Sequence, residues 1–142
     1  MSAASDHAFE LLEKADNDLI AAQATVSTGR AFDTVCFHCQ QIVEKCLKAV
    51  LAWHDMDYPW THDLREIVAL VKPFMPIMAD YERRIIGLNP FAVAIRYSGV
   101  EYPSQEETDD SLELAVKVGI LVKEYIASQE EPEDDIEDSD DV

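Results

Sequence analysis

Apolar residues recur along this chain at the three- and four-residue spacings of amphipathic helices. From Asp6 to Thr28, Leu12, Ala15, Leu19, Ala22 and Val26 form one stripe, with Ser5 or Asp6 placed to cap the helix and Gly29 to end it. From Ala31 to about His54, Val35, Cys39, Ile42, Cys46 and Val50 repeat the geometry, flanked by Cys36, Val43, Leu47 and Leu51. The connection between the two is so short that they must form an antiparallel hairpin. Tyr58-Pro59-Trp60 interrupts the pattern. Thr61 then occupies an N-cap position, with Asp63 in the first turn and Leu64, Ile67, Val68 and Val71 behind it. Pro73 and Pro76 break this short helix, and Ile77 to about Tyr97 reads as another, kinked or split at Gly87 and Pro90. After a polar loop from Glu101 to Asp110, Thr108 or Asp109 caps a last helix carrying Leu112, Ala115, Val116, Val118, Ile120, Val122, Tyr125 and Ile126. No segment alternates with the period of a strand. The expected fold is all-α, an up-and-down bundle of four main helices plus a short one.

Size and charge narrow the picture. The 142 residues, 48% hydrophobic, suit a single domain, and no apolar run is long enough to cross a membrane. The net charge is -18, from eleven basic and twenty-nine acidic residues. Nine of those acids and none of the bases lie in 129–142, which leaves residues 1–128 at eleven against twenty, or -9. The expected organisation is a helical domain over 1–128 and a disordered acidic tail over 129–142, whose repelling carboxylates have little to bury. So acidic a surface disfavours RNA and anionic lipid as partners. Residues Met1 to Glu10 lack the basic patch and apolar run of a secretory signal, and three cysteines cannot all pair within the chain. These features indicate a cytoplasmic protein with reduced thiols.

Chemistry-bearing residues are few. Cys36, His38, Cys39, Cys46 and His54 offer zinc-type ligands. However, the cysteines fall on the apolar stripe and no second Cys-x-x-C pair exists, so they read as core thiols and no metal is assigned. His38 stands on a different helical face from Cys36 and Cys39, which argues against a Cys–His nucleophile. Glycines at 29, 87, 99 and 119 exclude a phosphate-binding glycine loop. Glu106, Glu107, Asp109 and Asp110 read as charges favouring a helix start. Gln41, Glu44 and Lys48, at i, i+3 and i+7 with Gln40 and Lys45 beside them, line up amide, carboxylate and ammonium on one face, a solvated face with a Glu44–Lys48 pair unless something docks there.

The run Gln40-Gln41-Ile42-Val43-Glu44-Lys45-Cys46-Leu47-Lys48-Ala49-Val50-Leu51 resembles the QQxxEKxLKAxL signature of HEPN domains, the higher eukaryotes and prokaryotes nucleotide-binding family. Thr61-His62-Asp63-Leu64 looks like that family's THDL turn, and Arg96-Tyr97 like its RY pair, in the expected order. The similarity covers about residues 6 to 128. It implies a small, usually dimeric helical bundle, associated with nucleotide or RNA chemistry and with toxin-antitoxin pairs, often beside a minimal nucleotidyltransferase. Many relatives are metal-independent ribonucleases carrying Arg, four to six residues, then His. Here Arg96 is followed by Tyr97-Ser98-Gly99-Val100-Glu101-Tyr102-Pro103, with no histidine. An ionised Glu101 would repel the phosphodiester that a histidine attacks by proton exchange. The sequence therefore points to a non-catalytic dimeric module that binds a nucleotide or a partner nucleotidyltransferase. The candidate ligand-binding residues are Gln41, Glu44, Lys48, His62, Arg96 and Tyr97, with no catalytic residue and no cofactor. The rival readings are a HEPN-type RNase toxin with an altered acid/base, His62 being a substitute, and a structural dimer scaffold in which Arg96 pairs with Glu44.

Overall fold

Ser2 opens the first helix through a reciprocal capping box: its side chain accepts from the Ser5 amide, and the Ser5 hydroxyl oxygen accepts from the Ser2 amide. The helix thus begins before the Ser5 and Asp6 caps that the apolar stripe suggested, because the serine pair satisfies the first-turn amides. The computed structural model describes residues 2–93 and 102–130, and all regular structure among them is helical. The elements are α1 (Ala3–Val26), α2 (Phe32–Trp53), α3 (Leu64–Val71), a 3-10 turn (Pro76–Asp80), α4 (Glu82–Ile86), a second 3-10 turn (Asn89–Phe91) and α5 (Gln105–Glu130).

Gly29 ends the first hairpin arm as expected, with φ of +71°. Ala31, two residues on, is also left-handed, at φ +56°, and this pair of bends reverses the chain so that α2 returns antiparallel along α1. α5 runs parallel to α2. Cys36 faces Thr108 near the start of both helices, Cys46 lies across from Gly119, and His54 meets Tyr125 near their ends. α2 is therefore the central helix, packed on α1, α5 and α3. Val35, Cys39, Val43, Leu47, Val50 and Leu51 are buried along it.

The segment after α3 is more broken than expected. Where the sequence suggests a helix from Ile77 to about Tyr97, kinked or split at Gly87 and Pro90, the described part, up to Val93, is split into a 3-10 turn, the single-turn-length α4 and another 3-10 turn. Pro76 and Pro90 each stand at the start of a 3-10 turn, and Gly87 ends α4, so the breakers act as stops rather than kinks. Met78, Ile85 and Leu88 still point inward and close the core over α3. At the last helix, α5 begins at Gln105, a turn before the Thr108 or Asp109 cap suggested by sequence. The Ser104 hydroxyl accepts from the Glu107 amide, and the Glu107 carboxylate accepts from the Ser104 amide, a second capping box that carries the capping expected of the acidic cluster. Thr108 is instead buried, its hydroxyl donating to the Ser104 carbonyl.

The three cysteines are buried, and burial pushes the Cys39 and Cys46 thiols up to about 12, so both stay protonated at neutral pH. They serve as small core side chains, as their place on the stripe implied. No helix among the described residues is long and apolar enough to cross a membrane. Among the apolar residues that follow Pro73, Met75 and Met78 are buried, Phe74 packs partly against the core and Ile77 is exposed.

Candidate functional site

α2 carries the site, and the loop between α2 and α3 covers it. Glu44 is buried on the side of α2 that faces this loop, with its side chain 6% exposed. A carboxylate removed from water needs donors, and this one has three. Lys48 Nζ, one turn on, donates to Oε2 at 2.9 Å, and Gln40 Nε2, one turn back, donates to Oε1 at 2.9 Å. His62 Nδ1 approaches from the loop to 3.0 and 3.1 Å of the two oxygens. Burial alone would raise the pKa of Glu44. The hydrogen bonds from Lys48, Gln40 and His62, with the charge of Lys48, outweigh it and hold the carboxyl below its ordinary value, so Glu44 is ionised at neutral pH.

Gln40 links this carboxylate to its surroundings. Its amide also donates to the His62 carbonyl at 3.3 Å, and its own oxygen accepts from Gln41 Nε2 at 2.7 Å. Their spacing in the sequence puts Gln41, Glu44 and Lys48 on one face. The structure brings all three together but makes Gln40, which the sequence places only beside that face, the fully buried partner of Glu44. Its burial is not legible locally because the i, i+4 relation between Gln40 and Glu44 borders the apolar stripe. That stripe widens around α2 because neighbours pack on several sides of the helix.

The loop is fixed at both ends. Thr61 was expected to cap α3, but Asp63 does so: its carboxylate accepts from the Arg65 amide at 3.0 Å, while the Thr61 hydroxyl accepts from the Asp63 amide at 3.0 Å. Asp63 takes the cap because it is one residue from the first helical position, whereas Thr61 forms the turn that precedes it. Asn89, from the second 3-10 turn, braces the cap by accepting from the Leu64 amide at 2.9 Å and donating to Asp63 at 2.8 Å. Toward the other end, the Tyr58 hydroxyl and His7 Nε2 of α1 share a 2.8 Å hydrogen bond. Lys48 Nζ stands 5.4 Å over the Tyr58 ring. Burial and the charge of Glu44 push the Tyr58 hydroxyl above its usual value, so it stays protonated.

Between loop, α1 and α2 lies a cleft of about 680 Å³ lined in part by His7, Lys14, Gln41, Glu44, Lys48 and His62. Trp60 stands at its rim with its indole fully exposed. Tyr58-Pro59-Trp60 registered in the sequence as an interruption of helix periodicity. That was the available signal for the cleft's aromatic wall. Four of the six candidate residues, Gln41, Glu44, Lys48 and His62, thus meet at one place. Arg96 and Tyr97, and with them an Arg96–Glu44 pair, lie outside the described residues, as do the acidic residues beyond Glu130.

His38 bonds away from the cysteines. Its Nδ1 is 2.8 Å from Asp18 of α1, and Lys45 Nζ donates to the other Asp18 oxygen. This cluster ties α1 to α2. His54, also weighed as a metal ligand, stacks on Phe74 at 4.0 Å and bonds the Tyr125 hydroxyl at 2.6 Å, and burial lowers its affinity for a proton.

A model of the HEPN domain matches residues 8–125. Neither the curated proteins nor the solved structures yield a match. The matched span runs from the second turn of α1 nearly to the end of α5 and takes in the lining of the cleft apart from His7. On that match, together with the all-helical bundle, the chain belongs to the HEPN domain family.

Proposed function

We propose that this HEPN protein is a non-catalytic, homodimeric module that binds a nucleotide in the cleft between α1, α2 and the loop before α3. The observation that carries the reading is the pairing of an exposed aromatic face with cations in one cleft. Trp60 offers a flat surface on which a base can stack, Lys48 is held nearby, and Lys14 on α1 has no ion pair among the described residues. A stacked base and a phosphate need these two kinds of group within one ligand's length. Asp55 and Asp57 on the same lining oppose an anion. Affinity is accordingly weak, on the order of 0.1 to 1 mM, or roughly -4 to -5.5 kcal/mol.

The non-catalytic part rests on residues 97 to 103, where no histidine follows Arg96 at the spacing used by ribonuclease relatives. A minimal nucleotidyltransferase is the protein partner that the family resemblance implies, and the same cleft would present a bound nucleotide to it. The experiment is a thermal-shift panel of nucleoside mono-, di- and triphosphates at millimolar concentration, run beside an RNA cleavage assay without added metal. The reading expects a raised melting temperature that Trp60→Ala abolishes, and intact RNA. No shift with any nucleotide would defeat the binding assignment. Cleavage lost in Arg96→Ala would replace it with the nuclease reading.

A further inference from the structure

His62 stands in the cleft with its two ring nitrogens in different surroundings. Nδ1 is engaged by both oxygens of Glu44. The side chain is nonetheless 68% exposed, against 6% for the carboxylate that holds it, so Nε2 is left on the open side of the ring. Because Glu44 is ionised and can only accept, the hydrogen of a neutral His62 resides on Nδ1. Neutral His62 therefore shows the cleft a bare lone pair at Nε2. Protonated His62 shows it an N–H donor and a positive charge, and Glu44 and Gln40 hold the ring and its backbone in place for either form.

We propose that His62 is a proton-linked anion ligand: a phosphate group of the nucleotide enters the cleft together with one proton, which is taken up at His62 Nε2. This rests on the nucleotide-binding reading above and adds the group that meets the phosphate and the condition under which it does so. A phosphate oxygen gains nothing from the lone pair of the neutral ring and gains a charge-assisted hydrogen bond from the cation. Binding and protonation therefore favour each other, by linkage.

The other ionisable groups around the cleft leave the window clear. From α2 come Glu44, Lys45 and Lys48, and from α1 His7 and Lys14. The loop adds Asp55, Asp57 and Tyr58, with Asp63 next to His62 in the chain. Of these residue types, histidine alone ordinarily changes charge between about pH 5 and 8, which leaves His7 as the competing source of a proton effect. His7 Nε2 is already committed to the Tyr58 hydroxyl.

The test is calorimetric titration of the full chain with ADP at about pH 6, 7 and 8, for the wild type, His62→Gln and His7→Gln, with circular dichroism to verify that each is folded. Each pH is run in two buffers of different ionisation heat, so that proton uptake is read directly. The phosphate of ADP titrates in the same range, but equally for every variant, so differences between variants report the protein. Wild type is expected to take up more protons than His62→Gln. Its affinity should fall with rising pH more steeply than that of the variant, by up to about tenfold per pH unit. Glutamine can keep the bond to Glu44 but cannot titrate, so a merely structural His62 would leave the two pH profiles alike. Equal profiles in wild type and His62→Gln, or loss of the pH dependence in His7→Gln, would overturn the role of His62 while nucleotide binding stands. No heat of ADP binding at any pH would overturn both.

Discussion

At the scale of single residues, Glu44 organises the site. Its carboxylate is the common acceptor of Gln40, Lys48 and His62. Removing it leaves a largely buried ammonium, 13% exposed, without its carboxylate, and a fully buried amide with only the longer bond to the His62 carbonyl. Glu44→Ala is expected to cost about 2 to 3 kcal/mol, measured by urea denaturation, at the low end of the range for breaking buried pairs because His62 is exposed. The direction of its acid response also follows. The folded-state proton affinity of Glu44 is lowered, so its stabilisation is present in full above the unfolded carboxyl value of about 4.3. It is lost as pH falls through the lower folded value. Glu44→Gln is therefore expected to flatten the acid limb of the stability curve, and an unchanged acid limb would contradict this. Much of this site was legible in the chain: the spacing of Gln41, Glu44 and Lys48 put three of its groups on one helical face, and Thr61-His62-Asp63 marked the turn that brings the fourth. Burial was not legible. A carboxylate at i+3 on an amphipathic helix reads as solvated until the loop that covers it is placed, and nothing local in Tyr58-Pro59-Trp60 says that it folds back over α2.

Elements were readable where periodicity runs long and harder to place where the ends depend on tertiary partners. α1, α2 and α5 follow from their apolar stripes, but α1 and α5 start a few residues early because Ser2–Ser5 and Ser104–Glu107 form capping boxes that precede the first apolar position. The region after α3 reads as helical by composition, yet Pro76, Gly87 and Pro90 divide it into single turns whose apolar residues still fill the core. Two element-scale predictions concern the bends. Ala31 holds a left-handed conformation that costs a residue with a Cβ roughly 1 to 2 kcal/mol, against about 0.4 to 1 kcal/mol for the extra freedom of glycine in the unfolded chain. Ala31→Gly is thus expected to stabilise the hairpin by about 0.5 to 1 kcal/mol. Gly29→Ala should lose about 1 kcal/mol although no atom lies within 4 Å of the added methyl, because the strain is in the backbone. Thermal melts of both variants check the pair of signs. Asn89→Ala would strip the brace from the α3 cap, leaving the Leu64 amide without its acceptor, at an expected cost of about 1 to 2 kcal/mol by urea denaturation.

At the scale of the whole molecule, the bundle buries Met75 and Met78, and the large apolar side chains left exposed among the described residues include Ile20 of α1, Ile120 of α5 and Trp60. Homodimerisation is proposed on family resemblance. Light scattering at micromolar concentration is expected to give about 32 kDa, twice the 16.0 kDa of the chain, and a monomer mass would contradict it. The acidic balance of the chain favours small ligands held in a cleft over long polyanions, since a strand of RNA would meet repulsion along its length whereas a single phosphate meets the local cations. The central claim is that a nucleotide base stacks on Trp60 while its phosphate reaches the Lys48 and His62 side of the cleft. The most direct measurement is the fluorescence of Trp60 in a Trp53→Phe background, titrated with AMP, ADP and ATP. Saturable quenching that weakens in Lys14→Ala is the predicted result, and emission unchanged by any of the three through millimolar concentration would contradict the account.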